Sequence, residues 1–146
     1  MRKASYSRSS LLLFGPMLQL MDSKKTVIAI VDDDEPIRRA LASLVRSLGY
    51  EALTFDGGQE LLDSPRRAEI RCLISDVQMP GMTGLELHAR LVASGQPIPT
   101  ILITAYPNDE ARERALNSGV VCYLRKPFAE DELLACIRTT LNQPSA

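Results

Sequence analysis

The sequence is poor in aromatic residues and in imidazole groups. It has no tryptophan, only 5% aromatic residues and a single histidine, His88. With so few rings the core must be mostly aliphatic, and 45% of the residues are hydrophobic, a composition that suits a sheet covered by helices. His88 lies in a helical pattern outside any catalytic motif, and we expect it to be a surface residue without a chemical role.

Cysteine is also scarce. Cys72, Cys122 and Cys136 lie far apart in the chain, and no C-x-x-C motif is present. An odd and dispersed set favours buried thiols in a reducing compartment over a disulfide framework. We therefore expect a cytoplasmic location.

Strong net charge and long apolar runs are absent as well. The formal net charge is −1, which gives no reason to expect that this segment binds nucleic acid. The apolar stretch at 11–21 is shorter than the about 20 residues of a spanning helix and is interrupted by polar residues, glycine and proline. We expect neither nucleic acid nor a membrane as a partner of this segment.

Residues 1–25 form an extension that we expect to be disordered. Arg2, Lys3 and Arg8 precede the apolar stretch, an arrangement that resembles a signal peptide. No small-residue cleavage site follows, since the next residues, 22–25, are Asp-Ser-Lys-Lys. Export and a short docking helix are the alternatives for this segment.

After residue 25, short apolar runs alternate with helical patterns. This alternation predicts βαβ units and one doubly wound α/β domain, with a five-stranded parallel sheet and five helices. The domain should occupy 26–142, and 143–146 should be a tail or the start of a linker. The predicted strands are 26–31, 50–55, 71–75, 99–104 and 120–124.

Acidic residues follow two of these strands. Asp32 and Asp33 come after the first strand, and Asp76 comes after the third. Ligands of such sheets bind outside the carboxyl ends of the strands, so the three carboxylates should share one crevice. Three carboxylates repel one another unless a cation neutralises them or one is protonated. Oxygen ligands without His or Cys favour Mg²⁺, whereas Asp34 and Glu35 are better placed to cap the following helix.

A hydroxyl and an ammonium group follow two other strands. Thr104 ends the fourth strand and offers a hydroxyl to a phosphoryl oxygen, with the small Ala105 beside it. Lys126 follows the fifth strand and precedes Pro127, which restricts the lysine backbone to an extended conformation and permits a cis bond. From this edge Lys126 can reach a phosphate oxygen or Asp76 itself.

Four motifs together resemble the receiver domain of two-component response regulators, most closely receivers of the FixJ type. The motifs occur in the family's order, each at a strand end, and the resemblance covers residues 26 to about 142. They are I-V-D-D-D-E-P-I-R at 30–38, L-I-S-D-V-Q-M-P-G-M-T-G-L-E-L at 73–87, I-L-I-T-A at 101–105 and Y-L-R-K-P-F at 123–128.

The resemblance implies a flavodoxin-like, CheY-like fold and a set of roles. Asp76 would accept a phosphoryl group from a sensor histidine kinase. Asp33 and Asp76 would bind Mg²⁺ with help from Asp32, and the carbonyl of Gln78 would complete the protein ligands. The protein would catalyse its own phosphorylation and dephosphorylation rather than act as a conventional enzyme.

The resemblance also implies a conformational switch. Thr104 and Lys126 would bind the phosphoryl oxygens, and Tyr123 would turn inward when Thr104 is drawn to the phosphate. A homodimer formed on phosphorylation is one expected output, and transcription regulation is another, because FixJ-type receivers usually precede a helix-turn-helix domain. An ordinary half-buried strand residue is the alternative for Tyr123.

Three other functions are alternatives to that of a phosphoaccepting receiver. A flavodoxin-like cofactor binder would need a glycine- and hydroxyl-rich phosphate loop where Asp32–Asp34 stand. A Mg²⁺-dependent phosphatase with an aspartyl-phosphate intermediate expects an acid/base aspartate two residues after its nucleophile, where this chain has Gln78. A degenerate receiver would act by protein contact only, against which the complete set of acidic, hydroxyl and ammonium groups argues.

Overall fold

A computed structural model describes residues 24–142. They form one sheet with helices on both of its faces. Within that range, five strands alternate with five α-helices, and a 3₁₀ turn at Arg67–Glu69 precedes the third strand. The elements are β1 Val27–Val31, α1 Glu35–Ser47, β2 Glu51–Phe55, α2 Gly58–Leu62, β3 Ile70–Asp76, α3 Gly84–Ala93, β4 Thr100–Thr104, α4 Asp109–Asn117, β5 Cys122–Arg125 and α5 Glu130–Leu141.

All neighbouring strands of the sheet are parallel, in the order β2-β1-β3-β4-β5. Val31 at the end of β1 pairs with Ser75, and Asp76 at the end of β3 pairs with Ile103. The order departs from the chain sequence between β1 and β3, and such a switch point opens a crevice at the carboxyl edge. The predicted doubly wound, five-stranded parallel sheet is confirmed.

Side-chain caps begin α1 and α3, and the first of them was predicted from the sequence. The Asp34 side chain accepts the Ile37 backbone N–H at the start of α1, which confirms Asp34 as a helix cap. At the start of α3, Thr83 and Glu86 exchange hydrogen bonds with each other's backbone N–H. Such reciprocal pairs satisfy two backbone donors that a helix leaves free.

The starts of β2 and β5 differ from the predicted ones for a common reason. Tyr50 was expected in β2 and Val120 in β5, but each donates its N–H back to the preceding helix, to Val45 and Ala115 respectively. Both follow a glycine with positive φ, Gly49 in the first case. This is the Schellman ending of a helix, so the N–H needed for the strand ladder is already used.

Two apolar layers cover the two faces of the sheet. One cluster joins alternate residues of β1, including Ile28 and Ile30, to α1 and α5, and the other joins Val27, Ala29 and Val31 to α2 and α3. The alternation follows from the two-residue period of a strand. A smaller third cluster, Leu102, Ala115 and Val120, lies beneath α4.

His88 is not a surface residue, contrary to the prediction. It is buried on α3, and a Cβ on Gly119 would lie 3.9 Å from its Cε1 atom. Burial lowers the pKa of the imidazole because the charged form would lose solvation. The sequence did indicate the burial of His88, because the buried residues of α3 have the spacing of one helical face: Gly84, Leu87, His88 and Leu91.

Other predictions concern the cysteines, a membrane span and the two ends of the chain. All three cysteines are free, as expected, but only Cys72 and Cys136 are buried, whereas Cys122 is half-buried. Burial raises the pKa of Cys72 and of Cys136 to about 12. No helix within 24–142 is long and apolar enough to cross a membrane. The predicted tail at 143–146 and all but the last two residues of the extension at 1–25 lie outside the described residues.

Gly84 lets α3 begin directly against the end of β3. Its N–H donates to the Val77 carbonyl at 3.0 Å. A Cβ at this position would overlap the backbone oxygen of Asp76 and would lie 2.9 Å from Leu102 Cδ2. The missing side chain therefore helps to place the end of β3.

We predict that Gly84→Ala lowers the free energy of unfolding by about 1–3 kcal/mol, the usual cost of overpacking a rigid site. Urea titration followed by circular dichroism measures this loss. Gly57→Ser is the matched control, because a Cβ on Gly57 meets nothing within 4 Å and its φ is −158°. The control should change stability by less than about 0.5 kcal/mol, and equal losses in both variants would contradict the close-approach argument.

Candidate functional site

Three carboxylates meet at the carboxyl edge of the sheet, as predicted. One oxygen from each of Asp32, Asp33 and Asp76 lies within 4.8 Å of the others. Asp32 and Asp76 are buried, with 1% and 9% of their surface exposed, whereas Asp33 is exposed. The acidic cluster formed by these three residues is therefore anchored in the protein and open to solvent on one side.

The backbone around Asp32 is held by two further contacts. Its Oδ1 accepts the N–H of Asp34 at 2.9 Å, and its backbone carbonyl accepts a hydrogen bond from Arg38 Nη1 at 2.7 Å. The Arg38 side chain is mostly buried. The turn that follows β1 is thus tied to the first turns of α1, which fixes where Asp32 and its neighbour Asp33 stand.

Lys126 lies between the two buried carboxylates. Its Nζ is 3.3 Å from Asp76 Oδ1 and 3.4 Å from Asp32 Oδ2. Its backbone N–H donates to the Thr104 carbonyl at 2.8 Å, and the Lys126–Pro127 peptide is cis. From the sequence, the Lys126 ammonium could reach either a phosphate oxygen or Asp76. In the structure it contacts Asp76, and Asp32 is a second contact.

The pKa of the Asp76 carboxyl lies above its usual value. Burial is the main cause, and the negative charges of Asp32 and Asp33 act in the same direction, while the Lys126 ammonium opposes them. The net effect is that the folded protein disfavours the ionised form of Asp76 in the absence of other cations.

Thr104 is fully buried at the end of β4, and both sides of its hydroxyl are occupied. The hydroxyl donates to Gln78 Oε1 at 2.8 Å and accepts the Tyr106 N–H at 3.0 Å. The Tyr106 side chain itself is 74% exposed. Thr104 thus lies at the predicted edge, but its hydroxyl is directed to an amide oxygen.

Tyr123 is separate from the acidic cluster. It lies on β5 opposite Leu102 of β4 and is half-buried against the third apolar cluster beneath α4. Its ring therefore lies next to the residues against which α4 packs. This position is compatible with both sequence interpretations of Tyr123, a switch residue and an ordinary strand residue.

Two contacts at the site were not predicted from sequence. Arg38 ends the first motif but had no predicted role, and Gln78 was considered only for its backbone carbonyl. The Gln78 side chain lies 26 residues from Thr104 in sequence, so no local pattern indicates the pair. Only the adjacency of β3 and β4 brings them together.

The donor set fits a hard divalent cation. All three side chains of the acidic cluster offer carboxylate oxygens, and one of them faces solvent, which would leave room for water ligands. Mg²⁺ prefers a few carboxylates together with water. A cation there would also favour the ionised form of Asp76, whose pKa is raised by burial and, to a smaller extent, by the charges of Asp32 and Asp33.

We predict that Asp76→Asn stabilises the metal-free protein at neutral pH. Because the pKa of Asp76 is higher in the folded than in the unfolded state, folding penalises the ionised carboxylate above that pKa. The penalty disappears as the pH falls below the unfolded-state pKa, so the advantage of the variant should shrink from pH 7 towards pH 4. Urea titrations in a chelator at both pH values measure it, and a pH-independent difference would contradict the assignment.

Comparison with known proteins places the chain in one family. A family model described as the response regulator receiver domain matches residues 28–138. The response regulator protein TmoT of Ectopseudomonas mendocina is 38% identical over 123 residues, which are 84% of this chain and 56% of TmoT. The transcriptional regulatory protein FixJ of Bradyrhizobium diazoefficiens is 35% identical over 116 residues, or 80% of this chain and 57% of FixJ.

A solved structure agrees with these sequence relatives. The low-resolution structure of the response regulator StyR matches with a TM-score of 0.73 and 41% identity, over 80% of this chain and 59% of StyR. The chain thus spans a little more than half the length of the relatives compared here. The extent of the family match and the identity to these relatives establish that this chain belongs to the receiver domains of two-component response regulators.

Proposed function

We propose that this receiver accepts a phosphoryl group on Asp76 from a phosphorylated histidine of a sensor kinase. The observation that carries the proposal is the position of Lys126, whose ammonium contacts Asp76 at 3.3 Å at the open edge of the sheet. Of the two carboxylates that Lys126 contacts, Asp32 is almost fully buried, and Asp76 is the more exposed. Asp76 is therefore the carboxylate that a phosphodonor would meet.

The reaction forms a bond between an Asp76 oxygen and phosphorus while the phosphorus–nitrogen bond of phosphohistidine breaks. Bound Mg²⁺, held by Asp33 and Asp76 with Asp32 and the Gln78 carbonyl, would offset negative charge on the phosphoryl group. Lys126 would bind one phosphoryl oxygen, and Thr104 would donate its hydroxyl to another. Hydrolysis of the acyl phosphate in the same site would end the signal.

We further infer that phosphorylation changes the face formed by α4, β5 and α5. Thr104 precedes α4 and Tyr123 lies on the neighbouring strand, so movement of Thr104 towards a phosphoryl group would open space for the Tyr123 ring. A buried ring contributes a few kcal/mol of apolar burial, enough to bias a two-state equilibrium. The altered face would bind a second copy of the chain or another partner in the cytoplasm, and its output would be transcriptional, by analogy with FixJ.

Of the three alternatives, the flavodoxin-like binder is disfavoured because Asp32–Asp34 stand where its phosphate loop would be. The other two make different predictions. A Mg²⁺-dependent phosphatase would turn over phosphate esters repeatedly, and Gln78 offers no acid/base carboxylate for that reaction. A receiver that acts only by protein contact would not be phosphorylated at all. The close approach of Lys126 to Asp76 supports the phosphoacceptor over a receiver that acts only by protein contact.

We predict that Asp76→Asn abolishes labelling by a phosphorylated histidine kinase and by acetyl phosphate, because the amide is not a nucleophile for phosphorus. A chelator should abolish labelling of the wild-type protein, and Asp33→Ala should slow it and weaken Mg²⁺ binding. Phosphate-affinity electrophoresis and intact mass spectrometry measure the product.

Asp63→Asn is the matched control for this experiment. Asp63 is an exposed aspartate after α2 whose side chain, among the described contacts, accepts a hydrogen bond only from Gln59. The control should be labelled like the wild type. Undiminished labelling of the Asp76 variant at another residue would refute the assignment of the phosphoacceptor.

We predict that Thr104→Ala uncouples phosphorylation from the change at the α4–β5–α5 face. The variant should still be phosphorylated on Asp76, but it should show less dimerisation or a smaller change of amide chemical shifts around Tyr123 and α5. Light scattering and NMR with and without beryllofluoride measure both quantities.

Thr100→Ala is the control for the lost hydroxyl. Thr100 is equally buried and begins the same strand, and its hydroxyl donates to the Ile98 carbonyl, not into the site. Its response to beryllofluoride should match the wild type. If wild-type mass and chemical shifts at this face do not change on activation, the switch proposal is wrong.

A further inference from the structure

The Gln78–Thr104 hydrogen bond occupies the hydroxyl that would bind a phosphoryl oxygen. The Thr104 hydroxyl carries one hydrogen, and that hydrogen is directed to Gln78 Oε1 at 2.8 Å. The hydroxyl oxygen accepts the Tyr106 N–H at 3.0 Å. Because the hydroxyl has a single proton to donate, Thr104 cannot donate to Gln78 and to a phosphoryl oxygen at once.

The two acceptors therefore compete for one donor. Thr104 is fully buried, so a hydroxyl that loses its acceptor here cannot rely on bulk water, and a buried donor without a partner is costly. A charged phosphoryl oxygen accepts a stronger hydrogen bond than a neutral amide oxygen does. The exchange should thus proceed only when the phosphoryl group is in place.

The surroundings of Gln78 are suited to this competition. Its backbone is fixed on both sides, because Val77 donates its N–H to the Ile103 carbonyl at 2.9 Å and Met79 is buried in the apolar layer beside α2 and α3. Gln78 itself is exposed. Its amide can therefore turn into solvent without disturbing the core once Thr104 leaves it.

We propose that the Gln78 side chain is a positioning residue that holds Thr104 in its unphosphorylated arrangement. The proposal rests on the proposed function, because it assigns Thr104 the phosphoryl oxygen as its second acceptor. Gln78 would then set the equilibrium between the inactive and active arrangements of Thr104 in the unphosphorylated receiver. This role belongs to the side-chain amide and is distinct from that of the backbone carbonyl.

The experiment compares Gln78→Met with Gln78→Glu. Methionine has a similar length but offers no strong acceptor, whereas glutamate retains an oxygen that can accept the Thr104 hydroxyl. In the metal-free protein, Gln78→Met should shift the Tyr106 amide resonance and the methyl resonance of Thr104, because Thr104 loses its fixed acceptor. Gln78→Glu should keep the wild-type position of the Thr104 methyl resonance.

The second readout is the affinity for beryllofluoride at saturating Mg²⁺. Loss of one neutral competing hydrogen bond should make Gln78→Met bind the phosphate mimic about 2- to 10-fold more tightly than the wild type. The same substitution in a Thr104→Val background should have no such effect, because the hydroxyl for which the acceptors compete is gone. This double-mutant cycle separates an effect through Thr104 from a general change at the site.

The outcomes distinguish the two proposals. Tighter binding that depends on the Thr104 hydroxyl, together with the shifted resonances, supports the positioning role. Unchanged affinity and unchanged resonances in Gln78→Met overturn it while leaving the phosphoacceptor intact, and so does equal tightening in the Thr104→Val background. A wild-type protein that does not bind beryllofluoride with Mg²⁺ overturns the phosphoacceptor, and the regulatory role of Gln78 fails with it.

Discussion

The carboxyl edge of the sheet depends on one ammonium group between two buried carboxylates. Asp32 follows β1 and Asp76 ends the neighbouring β3, and both are within 3.4 Å of Lys126 Nζ. Without a cation, burial and mutual repulsion would favour protonation of one carboxylate. Three ionised carboxylates would carry more charge than one ammonium, and burial together with the neighbouring carboxylates keeps the pKa of Asp76 raised despite Lys126. The site is thus built to be completed by further positive charge, and this is the physical basis for expecting a divalent cation there.

The fold supplies this arrangement through strand order. The acidic residues come from β1 and β3, which are neighbours because the chain places β1 between β2 and β3. Thr104 and Lys126 come from the next two strands, and the Lys126 N–H is bound to the Thr104 carbonyl. Asp76 and Thr104 end the inner strands β3 and β4, which are held by the ladder on both sides, whereas Asp32 also relies on the contacts of its own turn with Asp34 and Arg38. The absence of a side chain at Gly84 allows α3 to close over the end of β3 without displacing Asp76.

Much of this site could be predicted from sequence because its residues stand at the ends of recognisable strands. Asp32, Asp33, Asp76, Thr104 and Lys126 all lie where their motifs indicated. Strand starts were less accurate, since an apolar residue after glycine can close a helix, as Tyr50 and Val120 do. His88 was misassigned although its helical spacing placed it on the buried face. The Gln78–Thr104 bond could not be predicted, because it joins a side chain in the loop after β3 to one at the end of β4, and only tertiary structure brings the two together.

Helix α4 has fewer buried residues than α3 or α5, and it is the helix that the proposed switch would move. Ala115 is the only fully buried residue of α4, whereas four residues of α3 and four of α5 are buried. An element with so little buried apolar surface can shift at small cost in free energy. Tyr123 contacts the cluster that contains Ala115, and Thr104 lies at the start of the loop that leads into α4. A change of hydrogen-bond partner at Thr104 would therefore act on a helix with few contacts to break. The same change transmitted towards α3 would have to disturb a well-packed face.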